Sequence, residues 1–561
     1  MRQCRQSALL LCAALAAWPL RAADIEIVAP AAIVRLVEPH LDALGGSPQR
    51  RHEELSGILA TEGYFAPQIE YSGGAGALRL TIDPGPRTRV GEVNIVIDGA
   101  VDAERRRQLL ADWRLPVGQP FRQEDWNEAK QQLLADLLGH GYPGARLVDS
   151  LADIDGERQR ANLSLHYDAG ASYRFGALQI SGLERYPPAL VERYTRKLEA
   201  GEPYDEARLH ELQMTLQATP YFSSVRATLE REAGDVNADG SITAPVVITV
   251  RERQPHRIGF GAGISSNTGA RVEANYHTPD LLHRAWSLDS GLRLEQKRQT
   301  LYADVFLPPD ARDRRYGFGA VSEQSDIENL RTERHAVGAQ SVQQRGSVEQ
   351  RLSLNWQWEQ REPAGAEMVT SRALVPNAMW TWRQLDNPLD PRRGIVLQAQ
   401  IGGGAKAALS DQNFVRLHGR WQQFIPLGPA NQLTLRAELG RTFADSRQHI
   451  PQDYLFRTGG TGSVRGYGYQ SLGISEGRAT VGGRYLGVAS AELTHWLDDS
   501  WGLAAFVDTG NAVDALSDIR LATGYGLGVR WRSPAGPLGV DLAYGERTGQ
   551  FQLHFSLAIP F

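Results

Sequence analysis

The amino-acid sequence predicts three α+β repeats followed by a sixteen-stranded antiparallel transmembrane β-barrel. Three observations carry this expectation: an apolar N-terminal segment, an internal repeat of roughly 80 residues in the first half, and an alternation of apolar and polar residues with period two in the second half. The change between the two patterns falls near residue 255, where helical periodicity stops.

The N-terminal segment has the features of a secretory signal. Basic residues near the start are followed by an apolar run from Ala8 to Ala17, which is too short to span a bilayer, and by small residues at Ala22 and Ala23. We therefore predict a signal peptide at residues 1–23, the alternative being a buried N-terminal helix. Both cysteines of the chain lie within this segment, so the exported part would contain neither a disulfide nor a thiol nucleophile.

The charge composition argues against nucleic acid as a partner. The chain has 60 basic and 65 acidic residues, a net charge of −5. Domains that bind nucleic acid carry a strongly basic surface instead. We therefore expect no nucleic-acid partner.

The first half repeats one order of elements, strand, helix, helix, strand and strand, three times. In each copy a helical pattern ends at a Gly-Tyr or Pro-Tyr pair and two alternating strands follow. In the third copy the first helical pattern runs from Pro188 to Leu198. We place the repeats at residues 24–89, 90–171 and 172–254. Two helices on one face of a small sheet leave the sheet edges open, and an open edge can add an extended peptide as a further strand.

The second half, residues 255–561, has the pattern of barrel strands. Sixteen alternating segments fit between Ile258 and Phe561, which is about 19 residues for each strand and its connection. A soluble β-sandwich or propeller shows a similar alternation, but the signal segment and the even strand number favour a membrane barrel. The alternation is clearest in the last segment, where the apolar phase contains Phe551, Leu553, Phe555, Leu557, Ile559 and Phe561.

One connection is too long for a turn. About forty residues separate two good strands between Thr442 and Gly483, and a glycine-rich stretch within them contains a single arginine, Arg465. An arginine inside a protein requires a carboxylate partner, and the period-two phase turns Glu492 and Asp508 inward on neighbouring strands. Spacing alone also allows the alternative that Arg465 is an exposed loop residue and the two acids line a wet pore.

The first and last strands predict a weak seam between them. Gly259, Gly261 and Gly263 occupy the lumen face of the first strand, where they offer no side chain for packing. The last strand ends with Pro560 and Phe561, and the proline has no backbone N–H to donate to a ladder. We therefore include these residues in a lateral seam that opens more easily than the other strand pairs.

The loop carries a motif that resembles a known family. Val464, Arg465, Gly466 and Tyr467 match the VRG[FY] signature of the BamA/TamA outer-membrane assembly-barrel superfamily. The resemblance covers essentially the whole chain after the signal segment, with further matches at residues 386–394, 506–510 and 526–541. It implies that the repeats are POTRA domains, that the loop folds into the barrel so that Arg465 pairs with the inward acids Glu492 and Asp508, and that the seam acts as a lateral gate.

The resemblance also implies a location and a role. Three POTRA domains resemble most the outer-membrane subunits of the translocation and assembly module. The protein would then lie in the cell outer membrane with its N-terminal domains in the periplasm. It would help to insert autotransporters and other outer-membrane proteins. Its implied partners are a TamB-like inner-membrane-anchored periplasmic protein, unfolded client proteins and outer-membrane lipid.

Two other transport classes compete with this role. A two-partner secretion transporter exports one dedicated substrate, but that class usually has two POTRA domains and an N-terminal plug helix, and the sequence shows neither. A passive porin is the third possibility, and the periplasmic repeats and the long arginine-containing connection argue against it.

No pattern in the sequence indicates an enzyme, a cofactor or a metal site. Residues 235–240 resemble the start of a calcium loop, but the twelfth position is Val246 where such a loop has a glutamate. The histidines lack the spacing of zinc ligands. There is no Gly-x-Ser-x-Gly nucleophile elbow, so we expect a protein that is not an enzyme.

Overall fold

A computed structural model describes residues 24–43, 47–74, 77–196, 198–533 and 536–557. The predicted signal peptide, with both cysteines, lies outside the described residues. The same is true of Pro560 and Phe561 at the end of the predicted seam.

The N-terminal half contains three α+β modules of the predicted order, and in each sheet the last long strand is central. The first module contains β1 (Asp24–Val28), α1 (Ala31–Val37), α2 (Pro48–Thr61), β2 (Gln68–Gly74) and β3 (Ala77–Asp83). The second contains β4 (Arg89–Asp98), α3 (Ala103–Ala111), α4 (Gln123–Gly139), β5 (Arg146–Asp155) and β6 (Arg160–Asp168). The third contains β7 (Tyr173–Ser181), α5 (Pro188–Glu192), α6 (Glu206–Gln217), β8 (Phe222–Leu229), β9 (Asp235–Val236) and β10 (Ile242–Glu252).

Helix α4 illustrates how the sequence builds these modules. Its residues Trp126, Ala129, Leu133 and Leu137 recur every three or four positions and are all buried. They share one core with the inward residues of β6, where each fully buried leucine stabilises the module by about 1.5–3 kcal/mol. The helical period therefore places one face of α4 on the sheet and leaves the other face in solvent.

The helix predicted from Pro188 to Leu198 is shorter in the structure. Helix α5 ends at Glu192. The next residues form tight turns in which the Tyr194 amide donates to the Val191 carbonyl and the Thr195 amide donates to the Glu192 carbonyl. Bonds between residues three apart replace the helical bonds here, and Thr195 is buried as a result.

The repeated Gly-Tyr pairs lie at the junctions between modules. Gly63 and Gly141 end helices with φ of +90° and +88° respectively, a conformation that glycine adopts without strain. The Gly63 carbonyl accepts the amide of Thr88 at 2.9 Å, and the Gly141 carbonyl accepts the amide of Tyr173 at 2.7 Å. The pair that ends each helix thus also starts the next module.

The C-terminal half forms a sixteen-stranded sheet in which neighbouring strands pair antiparallel, and two short strands form a separate hairpin. In chain order the strands are β11 (Arg257–Ser265), β12 (Gly269–Leu281), β13 (Trp286–Glu295), β14 (Arg298–Phe306), β15 (Arg314–Ile327), β16 (Leu330–Arg345), β17 (Val348–Pro363), β18 (Val369–Leu385), β19 (Gly394–Gly404), β20 (Phe414–Pro426), β21 (Asn431–Phe443), the hairpin β22 (Ile474–Glu476) and β23 (Ala479–Val481), β24 (Tyr485–Trp496), β25 (Trp501–Val513), β26 (Ala522–Ser533), β27 (Gly536–Gly545) and β28 (Gln550–Leu557).

The two faces of this sheet differ in polarity. On β25, for example, Leu503 and Val507 are about half exposed, whereas Asp508 on the other face is fully buried. The apolar side chains therefore point outward and the polar side chains point inward. A soluble barrel has the reverse arrangement, whereas a barrel surrounded by lipid has this one. The first and last strands, β11 and β28, have no ladder pairing with each other among the described residues, which end at Leu557.

The described chain forms two compact units. The first holds the first two modules and most of the sheet of the third. The second holds the barrel together with Gly182–Arg196 and Thr215–Val225 of the third module. Within the described residues no helix is both long and apolar enough to cross a bilayer.

Candidate functional site: the arginine loop and the barrel seam

The arginine loop, residues 444–484, connects β21 to β24 and returns to the barrel wall. Val464 and Tyr467 are buried in an apolar cluster with Val488, Ala512 and Ala522 of the wall. The Tyr467 hydroxyl donates to the Thr523 carbonyl at 2.9 Å. The motif that the sequence singled out is therefore the part of the loop that packs against strands β24–β26.

Arg465 lies in this segment and is 3% exposed. Its Nε and Nη2 atoms donate to the two oxygens of Asp508 at 2.7 and 3.0 Å, and its backbone amide donates to the same carboxylate at 3.1 Å. Its Nη1 atom donates to Glu492 at 2.6 Å and to Asp541 at 3.1 Å. The guanidinium also lies 3.4 Å from the centre of the Phe506 ring.

Two further arginines balance the three acids. Arg530 contacts Glu492 and Asp541, each at 2.7 Å. Arg436 lies 3.7 Å from Asp508 and donates to Ser490 at 3.0 Å. The charge cluster of Arg436, Arg465, Arg530, Glu492, Asp508 and Asp541 therefore contains three cations and three anions.

Charge balance determines the state of Arg465. Burial alone would lower the pKa of its guanidinium, but the hydrogen bonds and charge of Asp508, followed by the charges of Glu492 and Asp541, hold that pKa above its ordinary value. A buried ion pair contributes little net stability against an apolar replacement, yet removal of one partner is costly. The cluster therefore specifies the position of the loop more than it stabilises the barrel.

Glycines allow the loop backbone to reach the wall. Gly466 has a φ of +89°, which side chains on L residues rarely tolerate. A β-carbon on Gly524 of β26 would overlap the carbonyl oxygen of Arg465. Gly466 and Gly524 are thus both required, because at these two positions the loop backbone lies directly against the backbone of the barrel wall.

A second set of contacts holds the far part of the loop. Arg361 of β17, which is fully buried, contacts Glu476 of the hairpin at 3.1 Å and donates to Gln448 at 2.8 Å. Arg447 contacts the same glutamate at 2.7 Å. The loop is therefore attached to β17 as well as to the strands of the charge cluster.

The seam is the gap between β11 and β28, and the arginine loop crosses it. The amide of Phe555 in β28 donates to the hydroxyl of Ser266, in the turn after β11, at 3.2 Å. Thr461 at the loop tip lies 3.1 Å from the same hydroxyl and 3.3 Å from Asn267. Its hydroxyl also lies 3.3 Å from Nδ1 of His554 in β28.

His554 connects the last strand to the signature motif. The amide of Gly466 donates to Nε2 of His554 at 2.9 Å, so Nε2 is the unprotonated nitrogen and Nδ1 carries the proton that faces Thr461. One hydrogen-bonded path therefore runs from the residue after Arg465, through His554 and Thr461, to the turn after β11.

The residues named from the sequence fall into three groups. Arg465, Glu492 and Asp508 lie together as described. Gly259, Gly261 and Gly263 lie on the lumen face of β11, opposite Asn275, Glu273 and Arg271 of β12. Pro560 and Phe561 lie outside the described residues.

Five members of the site were not predicted from the sequence, namely Asp541, Arg530, Arg436, Thr461 and His554. A signal existed for Asp541, because it stands between Val540 and Leu542 in the outward phase and must face inward. The role of Thr461 had no comparable signal, since its contacts depend on the path of a loop.

These features define a class of protein: an outer-membrane β-barrel with N-terminal periplasmic modules. A family model described as the Omp85 superfamily domain matches residues 254–561, more than half of the chain. A POTRA model, described as a surface antigen variable number repeat, matches residues 173–253. The chain belongs to the Omp85 superfamily.

Individual relatives are distant. The outer membrane protein assembly factor BamA of Nitratidesulfovibrio vulgaris is 21% identical over 508 residues, which cover 86% of this chain and 62% of that protein. The crystal structure of BamA from Haemophilus ducreyi lacking POTRA domains 1–3 matches with a TM-score of 0.69 at 17% identity, over 83% of this chain and 99% of that one. CdiB from Acinetobacter baumannii matches over 93% of this chain and 98% of its own with a TM-score of 0.45 at 14% identity. The H. ducreyi match supports the fold alone.

Proposed function

We propose that this protein is a non-enzymatic factor that assists the assembly of autotransporters and other outer-membrane proteins. The modules would bind a periplasmic partner and the client, and the client strands would enter the membrane through the seam. A TamA-like role, with a TamB-like partner anchored in the inner membrane, is the specific form of the proposal.

The observation that carries the proposal is the state of the seam. β11 and β28 share no ladder among the described residues, whereas every other neighbouring pair of barrel strands is joined by an antiparallel ladder. An unpaired strand edge is a template for a further strand. The exposed edges of β11 and β28 therefore suit a client that arrives as an unfolded β-strand.

The modules support the specific form. Each has its own sheet with free outer strands, because the last long strand is central in all three. Such strands can pair with an extended peptide. Three modules distinguish this chain from the two-domain arrangement of two-partner secretion transporters, which remain the alternative. A large TamB-like reading frame beside the gene would favour the first role, and a large secreted adhesin would favour the second.

A reversible crosslink across the seam tests the proposal. Ser266 and Phe555 are in direct contact, and both cysteines of the chain precede residue 24. Ser266→Cys and Phe555→Cys joined by a short reducible thiol crosslinker should stop client assembly in cells, and reduction should restore it. Full client assembly with the seam quantitatively crosslinked would overturn the proposed route.

An interior pair provides the control. Leu435 of β21 and Ala491 of β24 are direct neighbours across a paired ladder on the outward face. Crosslinked cysteines at these positions should leave client assembly unchanged, because those strands do not need to separate. A loss of assembly with both pairs would indicate damage by the reagent instead of closure of the seam.

A further inference from the structure

An apolar groove of about 600 Å³ lies in the outward face of the barrel, away from the seam and the charge cluster. Its floor contains the small residues Ala399, Gly419 and Gly487, which lie in one row across neighbouring strands. In that row the side chain of Leu439 stands between Gly419 and Gly487. A β-carbon on Gly487 would meet nothing within 4 Å. The missing side chains therefore create a depression in a wall that faces lipid.

The groove lies at the extracellular end of the strands. Trp501 and Trp531 stack on the outward face beside the short turn after β24, as residues of an interfacial belt do. Val513, at the groove, is twelve residues further along β25. Twelve strand residues rise about 30 Å at a tilt of about 40°, which is the thickness of the hydrocarbon core. The groove therefore opens at the level of the outer leaflet.

A cation lies at the upper rim of the groove. Arg441 is exposed on the outward face, opposite Tyr485 in the ladder. Its guanidinium lies 4.0 Å from the centre of the Phe443 ring and 5.2 Å from that of Tyr485. Aromatic contacts of this kind hold a guanidinium in place without neutralising it. The positive charge thus remains available at the height of lipid headgroups.

The connection after β25 covers one side of the groove with apolar residues. Leu516, Ile519 and Leu521 line it, although each is about half exposed in a segment that would otherwise be polar. Apolar side chains on an outer loop gain stability only when an apolar partner covers them. An acyl chain in the groove would contact these three residues and the glycine floor together.

We propose that this groove binds one acyl chain of a phosphorylated outer-leaflet lipid of the lipid A type, with its phosphate on Arg441. The positive charge of Arg441 at the rim matches the phosphate of that lipid, and the apolar lining matches its acyl chain. The groove also lies at the level of the outer leaflet, where that lipid is found. A guanidinium forms paired, charge-assisted hydrogen bonds with phosphate oxygens. The volume also falls within the about 300–1,000 Å³ of small-molecule sites.

Native mass spectrometry of the purified full-length barrel tests the site. The protein in detergent is incubated with equal amounts of lipid A and phosphatidylglycerol, and the lipids that remain bound are counted. The wild-type protein should retain more lipid A than phosphatidylglycerol. Gly487→Leu fills the groove and should lower retention about tenfold. Ala505→Leu, on the same outward face of β25 but nearer the tryptophan belt, should behave as wild type.

The rim cation has a separate test. Arg441→Ala should abolish the preference for lipid A over its dephosphorylated form, and Arg441→Lys should keep most of it. Heat-modifiable gel migration checks the fold of each variant. Gly419→Leu, whose β-carbon would be 3.8 Å from the nearest atom, replaces Gly487→Leu if the latter does not fold. Equal lipid A retention by the groove variant and Ala505→Leu would overturn the proposal, as would a preference of wild type for phosphatidylglycerol.

Discussion

Arg465 makes five hydrogen bonds to three carboxylates, one of them through its backbone amide. The acids Glu492, Asp508 and Asp541 lie on β24, β25 and β27, so one side chain connects the loop to three strands. A lysine has one charged atom and cannot reach three carboxylates in this planar arrangement. The geometry at this position therefore requires a guanidinium.

Replacement of Arg465 with alanine should leave a folded barrel with impaired client assembly. The mutation leaves buried acids without their central cation, at a cost of about 3–5 kcal/mol, while the strand ladders that form the barrel remain. Client assembly should fall to about one tenth of wild type or less, because the loop no longer has a specified position. Gel migration with and without heating measures folding, and assembly of an autotransporter in cells measures function.

Arg478→Ala is the matched control for this prediction. Arg478 lies in the same loop and is exposed, so its loss should change neither readout. Arg465→Lys should be impaired as well if the planar geometry matters. Normal client assembly by Arg465→Ala would remove the charge cluster from the mechanism.

The charge cluster shows what a sequence can predict at the scale of residues. Period two identifies which carboxylates face the lumen, and on that basis Glu492 and Asp508 were named. The period does not give the height of a residue along the barrel, because that depends on strand tilt and register. Asp541 faces inward on the same evidence, but its place beside Arg465 follows only from the register of β27 against β26.

At the scale of elements, strands were easier to predict than loops. The sixteen barrel strands follow from alternation, since each must present an apolar face outward. The paths of the arginine loop and of the segment after α5 follow from tertiary contacts that leave no period in the sequence. Tertiary contacts end helix α5 at Glu192, earlier than the sequence predicts. Tertiary contacts also bring the arginine loop to the seam.

The loop tip should restrain the seam through Thr461. Thr461→Val keeps the shape of the side chain and removes the hydroxyl that contacts the turn after β11 and His554 of β28. Each lost hydrogen bond weakens the contact by about 0.5–1.5 kcal/mol. Backbone amides of residues 550–557 should therefore exchange with deuterium about tenfold faster than in wild type. Hydrogen exchange with mass spectrometry measures the change.

A lumen threonine on β14, three strands away from β11, gives the comparison for Thr461→Val. The Thr300 hydroxyl on β14 donates to Glu323 at 3.3 Å, so Thr300→Val also loses one side-chain hydrogen bond. It should leave exchange in β28 unaltered. Identical exchange of β28 in both variants would mean that the loop tip does not restrain the last strand.

At the scale of the whole molecule, the first and second modules have separate cores. The first is packed by Ile33, Val37, Leu55, Leu59, Leu80 and Ile82, and these residues form a cluster of their own. Its junction with the second module is small and specific. Glu62 contacts Arg122 at 2.9 Å, and the rings of Phe65 and Phe121 lie 5.9 Å apart. Separate cores allow one module to be removed while the others fold.

Deletion of residues 24–89 should abolish docking of the TamB-like partner and leave membrane insertion intact. The barrel and the two remaining modules retain their cores, although Phe121 and Arg122 lose their neighbours. Glu62→Gln is the control, because it weakens the junction but keeps the first module, and it should retain docking. A pull-down with the purified partner measures docking, and heat-modifiable migration of the outer-membrane fraction measures insertion. Undiminished binding by the deletion variant would place the docking surface on the second or third module, and failed insertion would show that the first module is needed for folding.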